Sequence, residues 1–585
     1  MVPRGLFPVS YFTICGGVLF YKKEEFIVKM TGAQILIECL VEQGVDTVFG
    51  YPGGAVLFIY DELYKNSDRI NHILTSHEQG ASHAADGYAR STGRTGVCIA
   101  TSGPGATNLV TGIATAYMDS VPVVFITGNV ASSLMGKDSF QEADITGITM
   151  PITKNNYIVK NVESLADTIR EAFVIAAEGR PGPVLVDIPK DITSAMTEFN
   201  FEKNAGKDRF TGRGSKNHPI KEVDMDLLLK LIKESQKPFI YAGGGIIKSN
   251  ASEELIDFAE KLHAPVSCSL MGLGAFPSSH PQFIGLLGMH GNKATNIASS
   301  ECDLFISIGA RFSDRVTGEI KSFCQKAKII HIDIDAAEID KNVMSFHSIV
   351  GDAKNVLRLL ISKIEKDTRH EWLEYIEGLK VNKLPITSGP MDPRGMMEEI
   401  YNATEGNAII VTDVGQHQLW AAQYYKYEKP KTFISSGGFG TMGFGAGAAI
   451  GTKIGNPNTP VVHIAGDGSF RMNCNELATI EHYNLPIIII IANNGTLGMV
   501  RQWQTMFYDK RYSQTTLDRG PDFVKLADAY NVEGYKINTL EEFKEHFTKA
   551  LTTGKPTLLD CKFAMDEMVV PMVAPGGDIT TFILE

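Results

Sequence analysis

The stretch GDGSFRMNCNELATIEHYNLPIIIIIANNGTLGMV, residues 466–500, decides the fold. The apolar run PVVHIA (460–465) directly before it predicts a buried strand that ends at a Gly-Asp-Gly turn. After a helix-like segment, five consecutive isoleucines predict a second strand, which ends at two asparagines. In open parallel sheets, ligands bind where strands end and the chain turns into helices. The two strand ends therefore offer a carboxylate, Asp467, and a side-chain carbonyl, Asn494, to one ligand.

A few hard oxygen ligands with room for others are typical of Mg²⁺, which takes its remaining ligands from phosphates and water. Gly466 and Gly468 allow a bulky group to approach the backbone beside Asp467. A Gly-Asp-Gly sequence alone is more often a tight turn in a buried α/β core. The interval of 27 residues between Asp467 and Asn494, with the asparagines closing an isoleucine strand, is much more specific. It resembles the diphosphate–magnesium motif of thiamine diphosphate enzymes.

Length and composition limit the class of protein. A chain of 585 residues is too long for one hydrophobic core, so three domains are expected. Its 44% hydrophobic and 21% charged residues are ordinary for a globular protein, and the net charge of −12 argues against nucleic acid or an anionic membrane as partner. The eight cysteines contain no CxxC pair and the fourteen histidines no HExxH pattern. This argues for reduced thiols in a cytosol-like compartment and against a zinc site.

Apolar strands alternate with helices along most of the chain, which indicates buried parallel sheets. The strands repeatedly end in glycine turns, as in DTVFG before YPGG, or in VCIATSGPG. The sequence therefore predicts an α/β protein of three doubly wound parallel-sheet domains. We place the domains at residues 30–190, 191–370 and 371–565, followed at 566–585 by a tail over the active site.

Residues 1–29 form a predicted N-terminal extension. The uncharged run GLFPVSYFTICGGVLFY (5–21) has the charge order of a signal peptide but no small-residue cleavage site after it. It is also short for a membrane-spanning helix. Met30 stands directly before Thr31, which is suited to cap a first helix. We expect a disordered extension or a start codon assigned upstream of the true one, with an anchor or signal as the alternative.

From Met30 to about residue 565 the chain resembles the large, catalytic subunits of the acetohydroxyacid (acetolactate) synthase family. The matching stretches are long and stand in the same order: VFGYPGGA, HEQGASHAADGYAR, TSGPGATN, DSVPVV, FQEAD, GRPGPVLVDIPKD, GARFSDRVTG, HIDID, DVGQHQLW, SSGGFGTMGFGAGAAIG, GDGSFRMN and NNGTLGMVRQWQ. The resemblance implies thiamine diphosphate, Mg²⁺ and FAD as cofactors.

The resemblance also implies roles at the thiamine diphosphate site. Glu78, within SHEQGA, would hydrogen-bond N1′ of the aminopyrimidine ring in a partner subunit and so drive formation of the C2 ylid. On position alone, an ordinary first-turn glutamate stabilised by the helix dipole is the simpler interpretation. Met442 would bend the cofactor between its rings, although a methionine in a glycine-rich run is more often plain packing. The implied Mg²⁺ ligands are Asp467, Asn494 and the main-chain oxygen of Thr496. The other implied contacts of this cofactor are Gly415, Gln416, His417, Gly440, Gly466, Gly468 and Ser469.

A substrate channel is implied along Gly53, Gly54, Phe140, Gln141 and Lys190. Lys190 would contact an anionic 2-oxo acid or its intermediate, although the sequence PKD is equally consistent with a solvated turn. Trp503 would favour 2-oxobutyrate over pyruvate as second substrate, a discrimination of about 1–3 kcal/mol. Ala131 replaces a proline that many relatives carry at the mouth of an inhibitor-binding channel, so the response to inhibitors is left open.

A second cofactor site is implied in the middle domain. Three consecutive glycines after a strand are a weak signal alone, since many tight turns look similar. Flavin-free relatives usually lack the RF-x-DR run, which favours bound FAD, whereas Ser313 replaces a second aspartate common in the family and leaves the contact geometry open. The implied FAD contacts are Arg180, Gly243, Gly244, Gly245, Met289, His290, Gly291, Arg311, Asp314, Arg315, Asp333, Ile334, Gly351 and Asp352.

The expected reaction is decarboxylation of pyruvate on thiamine diphosphate and addition of the hydroxyethyl carbanion to pyruvate or 2-oxobutyrate. The products, 2-acetolactate and 2-aceto-2-hydroxybutyrate, lead to valine, leucine and isoleucine. The alternatives are pyruvate oxidase, 2-oxo acid decarboxylases, which commonly carry a His-His pair that this sequence lacks, and glyoxylate carboligase, which lacks the activating glutamate. A non-catalytic nucleotide-binding α/β protein would need neither Glu78 nor the Asp467–Asn494 pair.

The family also implies partners. We expect a homodimer with the active site between subunits, a tetramer as an alternative assembly, and a small regulatory subunit. No nucleic-acid or membrane partner is expected. The matches are bacterial in style, which predicts a cytoplasmic enzyme, with the plastid stroma as the alternative.

Overall fold

The computed structural model describes residues 14–15, 18–19, 27–201, 222–366, 370–380 and 389–584. Three six-stranded sheets dominate these residues, and every neighbouring pair of strands within each sheet is parallel. The predicted α/β class with three parallel sheets is therefore confirmed. Most of the predicted extension at 1–29 lies outside the described residues.

The first unit begins with the capped helix that the sequence predicts. Thr31 Oγ1 accepts a hydrogen bond from the nitrogen of Gln34, and Gln34 Oε1 accepts one from the nitrogen of Thr31, which forms a capping box. The strands of the chain as far as this unit's end are β1 (Ile14–Cys15), β2 (Val18–Leu19), β3 (Ile27–Thr31), β4 (Thr47–Tyr51), β5 (Asn71–Leu74), β6 (Gly96–Ala100), β7 (Val123–Asn129), β8 (Asn155–Ile158), β9 (Val184–Pro189) and β10 (Met196–Asn200). The helices are α1 (Gly32–Glu42), α2 (Leu57–Lys65), α3 (Glu78–Thr92), α4 (Pro104–Thr107), α5 (Val110–Met118), α6 (Ile145–Thr149), α7 (Leu165–Ala177) and α8 (Lys190–Ser194).

The middle unit is built on a sheet of short strands, most of whose residues are buried. Its strands are β11 (Pro238–Ala242), β12 (Val266–Cys268), β13 (Phe283–Leu286), β14 (Leu304–Ile308), β15 (Lys328–Asp333) and β16 (His347–Val350). Its helices are α9 (Glu222–Glu234), α10 (Gly244–Lys248), α11 (Ser252–Leu262), α12 (Lys293–Glu301), α13 (Asp314–Thr317), α14 (Ala353–Lys363) and α15 (His370–Leu379).

The third unit contains the two strands that the isoleucine run and its neighbour predict. Its strands are β17 (Ile409–Thr412), β18 (Phe433–Ile434), β19 (Val461–Gly466), β20 (Ile487–Asn493), β21 (Glu533–Ile537) and β22 (Thr557–Lys562). Its helices are α16 (Pro393–Thr404), α17 (Gln416–Tyr424), α18 (Gly445–Gly455), α19 (Asp467–Phe470), α20 (Leu477–His482), α21 (Gly498–Phe507), α22 (Phe523–Ala529) and α23 (Leu540–Thr553). In the tail, β23 (Met572–Val573) and β24 (Phe582–Ile583) pair antiparallel.

The first and third sheets have the same strand order. The order is β5-β4-β6-β7-β9-β8 in the first sheet and β18-β17-β19-β20-β22-β21 in the third, whereas the middle sheet is ordered β13-β12-β11-β14-β15-β16. Outside the sheets, β10 pairs antiparallel with β3, which keeps the chain beside the first unit as far as Asn200. The domain boundaries proposed from the sequence stay predictions.

Helices α3 and α18 hold the first and third units together. A Cβ atom at Gly87 would overlap the carbonyl of Ala448, and one at Gly451 would overlap the carbonyl of Ala84. The two helices therefore approach backbone to backbone, which only glycine allows at these positions. One buried apolar cluster contains residues of both units, including Phe49 and Ile489. None of the helices in the described ranges is long and apolar enough to cross a membrane.

Candidate active site

The ends of strands β19 and β20 lie side by side, as predicted. The two strands pair in parallel from Val461 with Ile487 to Gly466 with Ala492. Asp467 is the first residue of α19 and is only 4% exposed, and burial raises its pKa to about 6. A carboxylate that water solvates this poorly is suited to a bound cation. The role of Asp467 and Asn494 as metal ligands stays a prediction.

A cleft opens at these strand ends. It encloses about 480 Å³ of space, part of which is open to solvent, and this is within the range of small-molecule sites. The residues predicted to bind thiamine diphosphate and Mg²⁺ all line the cleft with the exception of Gly440; they are Gly415, Gln416, His417, Met442, Gly466, Asp467, Gly468, Ser469, Asn494 and Thr496. Gly440 and Gly443 have φ values of 69° and 81°, a left-handed backbone that favours glycine on either side of Met442.

His417 and Ser469 of the cleft differ in whether their polar atoms already have hydrogen-bond partners. His417 is buried, its Nε2 has no hydrogen-bond partner among the described residues, and burial lowers its pKa to about 4. A neutral ring with an unpaired nitrogen beside a cleft is suited to a ligand that forms hydrogen bonds. Ser469 Oγ instead donates to the carbonyl oxygen of Val414 at 2.9 Å, so its hydroxyl proton is already committed.

The described residues offer few metal ligands at this cleft. Within the described ranges no group of three or more His, Cys, Asp or Glu side chains is placed to hold an ion. Asn494 Oδ1 accepts a hydrogen bond of 3.2 Å from the nitrogen of Thr496, which keeps this carbonyl on the side of the cleft that Thr496 also lines. A cation here would need further oxygen ligands from another molecule.

Glu78 begins α3 and is not a lining residue of this chain's cleft. His77 caps the helix, since its Nδ1 accepts from the nitrogen of Gln79 at 3.0 Å. Glu78 Oε2 accepts a hydrogen bond of 3.0 Å from Asn108 Nδ2. Asn108 was not predicted as a site residue, although it ends the motif TSGPGATN.

The predicted channel residues follow strands of the first sheet. Gly53 and Gly54 follow β4, and Lys190 begins α8 directly after β9. Phe140 is 88% exposed, which is unusual for a phenylalanine, and Gln141 next to it has a φ of 59°. The structure thus gathers these residues on the first unit, outside the cleft of the third unit.

Trp503 lies on α21, two turns past Thr496, and contacts the middle unit. The guanidinium carbon of Arg315 lies 5.7 Å from the centre of the Trp503 ring, a cation–π distance. No described residue bonds to the indole Nε1 of Trp503. The RFSDR run and the predicted specificity residue therefore meet at one place.

The residues predicted to bind FAD gather at the carboxyl edge of the middle sheet. Gly243–Gly245 follow β11, and a Cβ atom at Gly243 would overlap Gly309 at the end of the adjacent strand. Arg180 stands before β9 of the first unit, and the others follow strands of the middle sheet: Met289, His290 and Gly291 after β13, Arg311, Asp314 and Arg315 after β14, Asp333 and Ile334 at the end of β15, and Gly351 and Asp352 after β16. Carboxyl ends of doubly wound sheets are common dinucleotide sites.

Several of the residues predicted to bind FAD already form hydrogen bonds or ion pairs within the protein. Arg180 bonds to Glu338 at 2.6 Å, to Asp335 at 3.1 Å and to Ser120 at 2.8 Å. Asp352 caps α14 and also accepts from Ser249 Oγ at 2.7 Å. Asp314 and Arg315 pair with each other at 3.5 Å and are largely exposed.

His290, which is half-buried, and Asp333, which is buried, lie at the same edge. Burial lowers the pKa of His290 to about 4, and no described residue bonds to its Nδ1. Burial raises the pKa of Asp333 to about 6. Asp333 Oδ1 already accepts a hydrogen bond of 2.9 Å from the nitrogen of Asp335, so of these two side chains only His290 has a nitrogen without a partner among the described residues.

Three family models match successive parts of the chain. Residues 30–148 match the thiamine pyrophosphate enzyme N-terminal TPP binding domain, residues 225–360 the central domain and residues 413–561 the C-terminal TPP binding domain. The cleft described above lies within the last of these matches.

Individual relatives match almost the whole chain. A protein of Methanocaldococcus jannaschii named "Probable acetolactate synthase large subunit" is 49% identical over 568 residues, covering 95% of each chain. Proteins named "Acetolactate synthase large subunit" from Buchnera aphidicola and Haemophilus influenzae are 46% and 44% identical over 563 and 568 residues. The matches cover 94% of this chain and 97% of the Buchnera protein, and 95% of this chain and 98% of the Haemophilus protein.

Proposed function

The chain belongs to the acetolactate synthase large-subunit family of thiamine pyrophosphate enzymes, and we propose that it decarboxylates pyruvate and joins the remaining two-carbon unit to a second 2-oxo acid. The second substrate is pyruvate or 2-oxobutyrate, and the products are 2-acetolactate or 2-aceto-2-hydroxybutyrate, early intermediates of branched-chain amino acid synthesis. The observation that carries this proposal is the cleft at the β19 and β20 ends, which brings together Asp467, Asn494 and the unpaired nitrogen of His417.

Thiamine diphosphate, when bound, supplies a carbon centre that stabilises the carbanion left by decarboxylation. The residues of the cleft fit this cofactor, because glycine backbone lines the space that a diphosphate would fill and His417, whose Nε2 has no partner among the described residues, lines the same cleft. Met442 borders the same space and would support the cofactor between its two rings. His417 would bind as a neutral ring, since burial holds its pKa at about 4.

Mg²⁺ would be held by Asp467, Asn494 and the main-chain oxygen of Thr496. Ionised Asp467 is unfavourable in its buried position, and a divalent cation would compensate its charge. Because few protein ligands are present, diphosphate and water oxygens would complete the coordination. This assignment also explains why the cleft has one acidic residue and no histidine–cysteine cluster among its lining residues.

Glu78 would act on the cofactor of a second copy of the chain. It does not line its own chain's cleft, so a cofactor held there needs its activating carboxylate from elsewhere. A homodimer in which Glu78 of one subunit reaches the cleft of the other satisfies this requirement. In that position the carboxylate would share a proton with N1′ of the aminopyrimidine ring. The strongly exposed Phe140 supports a covering partner on the same unit.

FAD would bind at the carboxyl edge of the middle sheet. Three observations support this site: no described residue bonds to His290 Nδ1, burial raises the pKa of Asp333, and the backbone approaches closely at Gly243. Arg180 and Asp352 would contribute to its shape more than to direct binding, since their charged groups are already paired. A visible spectrum of the purified protein with flavin bands near stoichiometric intensity would support the assignment, and a featureless one would contradict it.

The reaction is tested with purified protein, pyruvate, Mg²⁺ and thiamine diphosphate. Acetolactate is the expected main product. Acetaldehyde as the main product would assign the protein to the simple decarboxylases instead, and acetyl phosphate would assign it to the pyruvate oxidases. A small regulatory subunit, a tetramer and a location in a bacterial cytoplasm or plastid stroma stay predictions of the family resemblance.

A further inference from the structure

A row of three side-chain amides connects the C-terminal tail, residues 566–584, to the cleft. Val569 of the tail bonds twice to Gln502 on α21, since its nitrogen donates to Oε1 at 2.9 Å and its carbonyl accepts from Nε2 at 3.0 Å. Gln416 Nε2 donates to Gln502 Oε1 at 2.9 Å and to the main-chain oxygen of Glu567 at 2.7 Å. Gln416 Oε1 in turn accepts from Asn494 Nδ2 at 3.1 Å.

The direction of every bond in this row is fixed by the tail backbone. A main-chain nitrogen can only donate and a carbonyl can only accept, so Val569 determines which way the Gln502 amide points. The Gln502 oxygen therefore faces Gln416, so Gln416 must donate from its amide nitrogen. The Gln416 oxygen then faces Asn494, so Asn494 must donate from its own amide nitrogen. The Asn494 oxygen is therefore turned away from Gln416, toward Thr496 and the cleft.

Water cannot easily substitute for the tail in this role. Gln416 is 4% exposed, Gln502 is 3% exposed and Val569 is fully buried. Without Val569 and Glu567, the amides of Gln502 and Gln416 would lose three bonds that set their orientation. The Asn494 amide would then be held with its oxygen toward the cleft only by the bond from the nitrogen of Thr496, and an amide nitrogen cannot bind a cation.

We propose that Gln502 and Gln416 are positioning residues through which the docked tail orients the Asn494 carbonyl, so that tail docking and metal binding reinforce each other. The inference rests on the proposed function, since it takes Asn494 as a Mg²⁺ ligand. Coupling between two sites is reciprocal, so the metal holds the tail as much as the tail prepares the metal site. The tail thereby acts on cofactor binding without touching the cofactor.

Replacing Gln502 tests the coupling. Gln502→Leu keeps the volume of the side chain but breaks the row, and Mn²⁺ serves as the probe because electron paramagnetic resonance counts the free ion directly. In the presence of thiamine diphosphate, the variant is expected to bind Mn²⁺ about tenfold more weakly than the wild type, as the loss of one to two buried hydrogen bonds implies. Unchanged Mn²⁺ affinity in a folded Gln502→Leu protein would overturn the inference.

Gln282→Leu is the matched control. Gln282 is 6% exposed and donates from Nε2 to the carbonyls of Ala259 and Ala264 at 2.8 and 2.7 Å, in the middle unit. This control therefore removes bonds of similar length and burial that have no path to the cleft. An equal loss of Mn²⁺ affinity in both variants would mean general destabilisation and would overturn the proposal.

Hydrogen exchange of the wild-type protein provides a second test that needs no variant. Adding Mn²⁺ and thiamine diphosphate is expected to slow exchange of the Val569 amide, whose proton bonds to Gln502. An exchange rate of the Val569 amide that is the same with and without the metal would overturn the coupling, even if Gln502→Leu fails to fold. Absence of any Mn²⁺ binding by the wild type is a separate result, which would contradict the magnesium site itself along with the inference.

Discussion

The main-chain nitrogen of Ser76 donates a hydrogen bond of 3.2 Å to the carboxylate of Glu476, which stands 400 residues later in the chain. Thr479 donates to the same oxygen at 2.7 Å, and Glu476 is fully buried. A Cβ atom at Gly80 would overlap this carboxylate, so Gly80 is the residue that admits it. The third unit thus holds the start of the helix that presents Glu78.

The first prediction concerns stability and pH. Burial raises the pKa of Glu476 from 4.5 to about 6, so its contribution to stability is present below pH 4.5 and is lost as the pH rises to about 6. The free energy of unfolding of the wild type should fall by about 2 kcal/mol relative to Glu476→Gln across this window. Chemical unfolding of both proteins between pH 4 and 7 measures the difference. Glu198→Gln, at an exposed position of β10, is the control, and a flat difference for Glu476→Gln would contradict the prediction.

The second prediction concerns activation of the cofactor. Glu78→Gln should bind thiamine diphosphate nearly as well as the wild type but slow hydrogen–deuterium exchange at C2 by about 10²–10⁴-fold, the range expected of a lost acid–base group. Quenched-flow NMR measures this exchange directly. Asn108→Leu removes only the hydrogen bond to Glu78 and should have a smaller effect. Wild-type exchange rates in Glu78→Gln would rule out the proton-sharing role.

The third prediction concerns the contact between α3 and α18. Gly87→Ala would force a methyl group against the Ala448 carbonyl and should destabilise the protein by about 1–3 kcal/mol, as overpacking of close contacts does. Gly378→Ala, where nothing lies within 4 Å on the exposed face of α15, should instead be neutral or stabilising by up to about 1 kcal/mol. Thermal unfolding compares the two. Equal melting temperatures would show that the backbones can separate at no cost.

The fourth prediction concerns substrate choice. Trp503→Leu removes the ring that stands beside Arg315 and should reduce the preference for 2-oxobutyrate over pyruvate about tenfold, within the range available from one methylene. A competition assay with both 2-oxo acids gives the product ratio. Trp372→Phe, buried in the middle unit, is the control that should leave the ratio unchanged. An unaltered ratio in Trp503→Leu would remove this residue from the specificity assignment.

Much of the fold could be predicted from patterns of neighbouring residues. The isoleucine run, the strand-to-glycine turns and the Thr31 cap are properties of neighbouring residues, and the structure has each of them where it was predicted. The shared strand order of the first and third sheets was not predicted, because strand order depends on which crossovers pack together and leaves no mark on single strands.

The cleft was predictable for the same reason, since parallel strands deliver their ends to one edge. Partners of individual side chains were not. Gln416 was assigned to the cofactor, yet its amide lies between Asn494 and Gln502. Gln502 and Glu476 were not singled out, because each gains its importance from a bond to a segment 67 or 400 residues away. A helical glutamine or glutamate in the sequence gives no signal of such a bond.

The backbone contact of α3 with α18 has a consequence during synthesis on the ribosome. The alanine-rich face of α3 is complete at Thr92, but α18 begins only at Gly445, about 350 residues later. At roughly 5–20 residues per second, the nascent chain carries this face uncovered for about 20–70 s. The first unit is therefore synthesised with the α18-binding face of α3 exposed, and this face is buried only when the third unit has been made. Cellular chaperones have that interval in which to bind it.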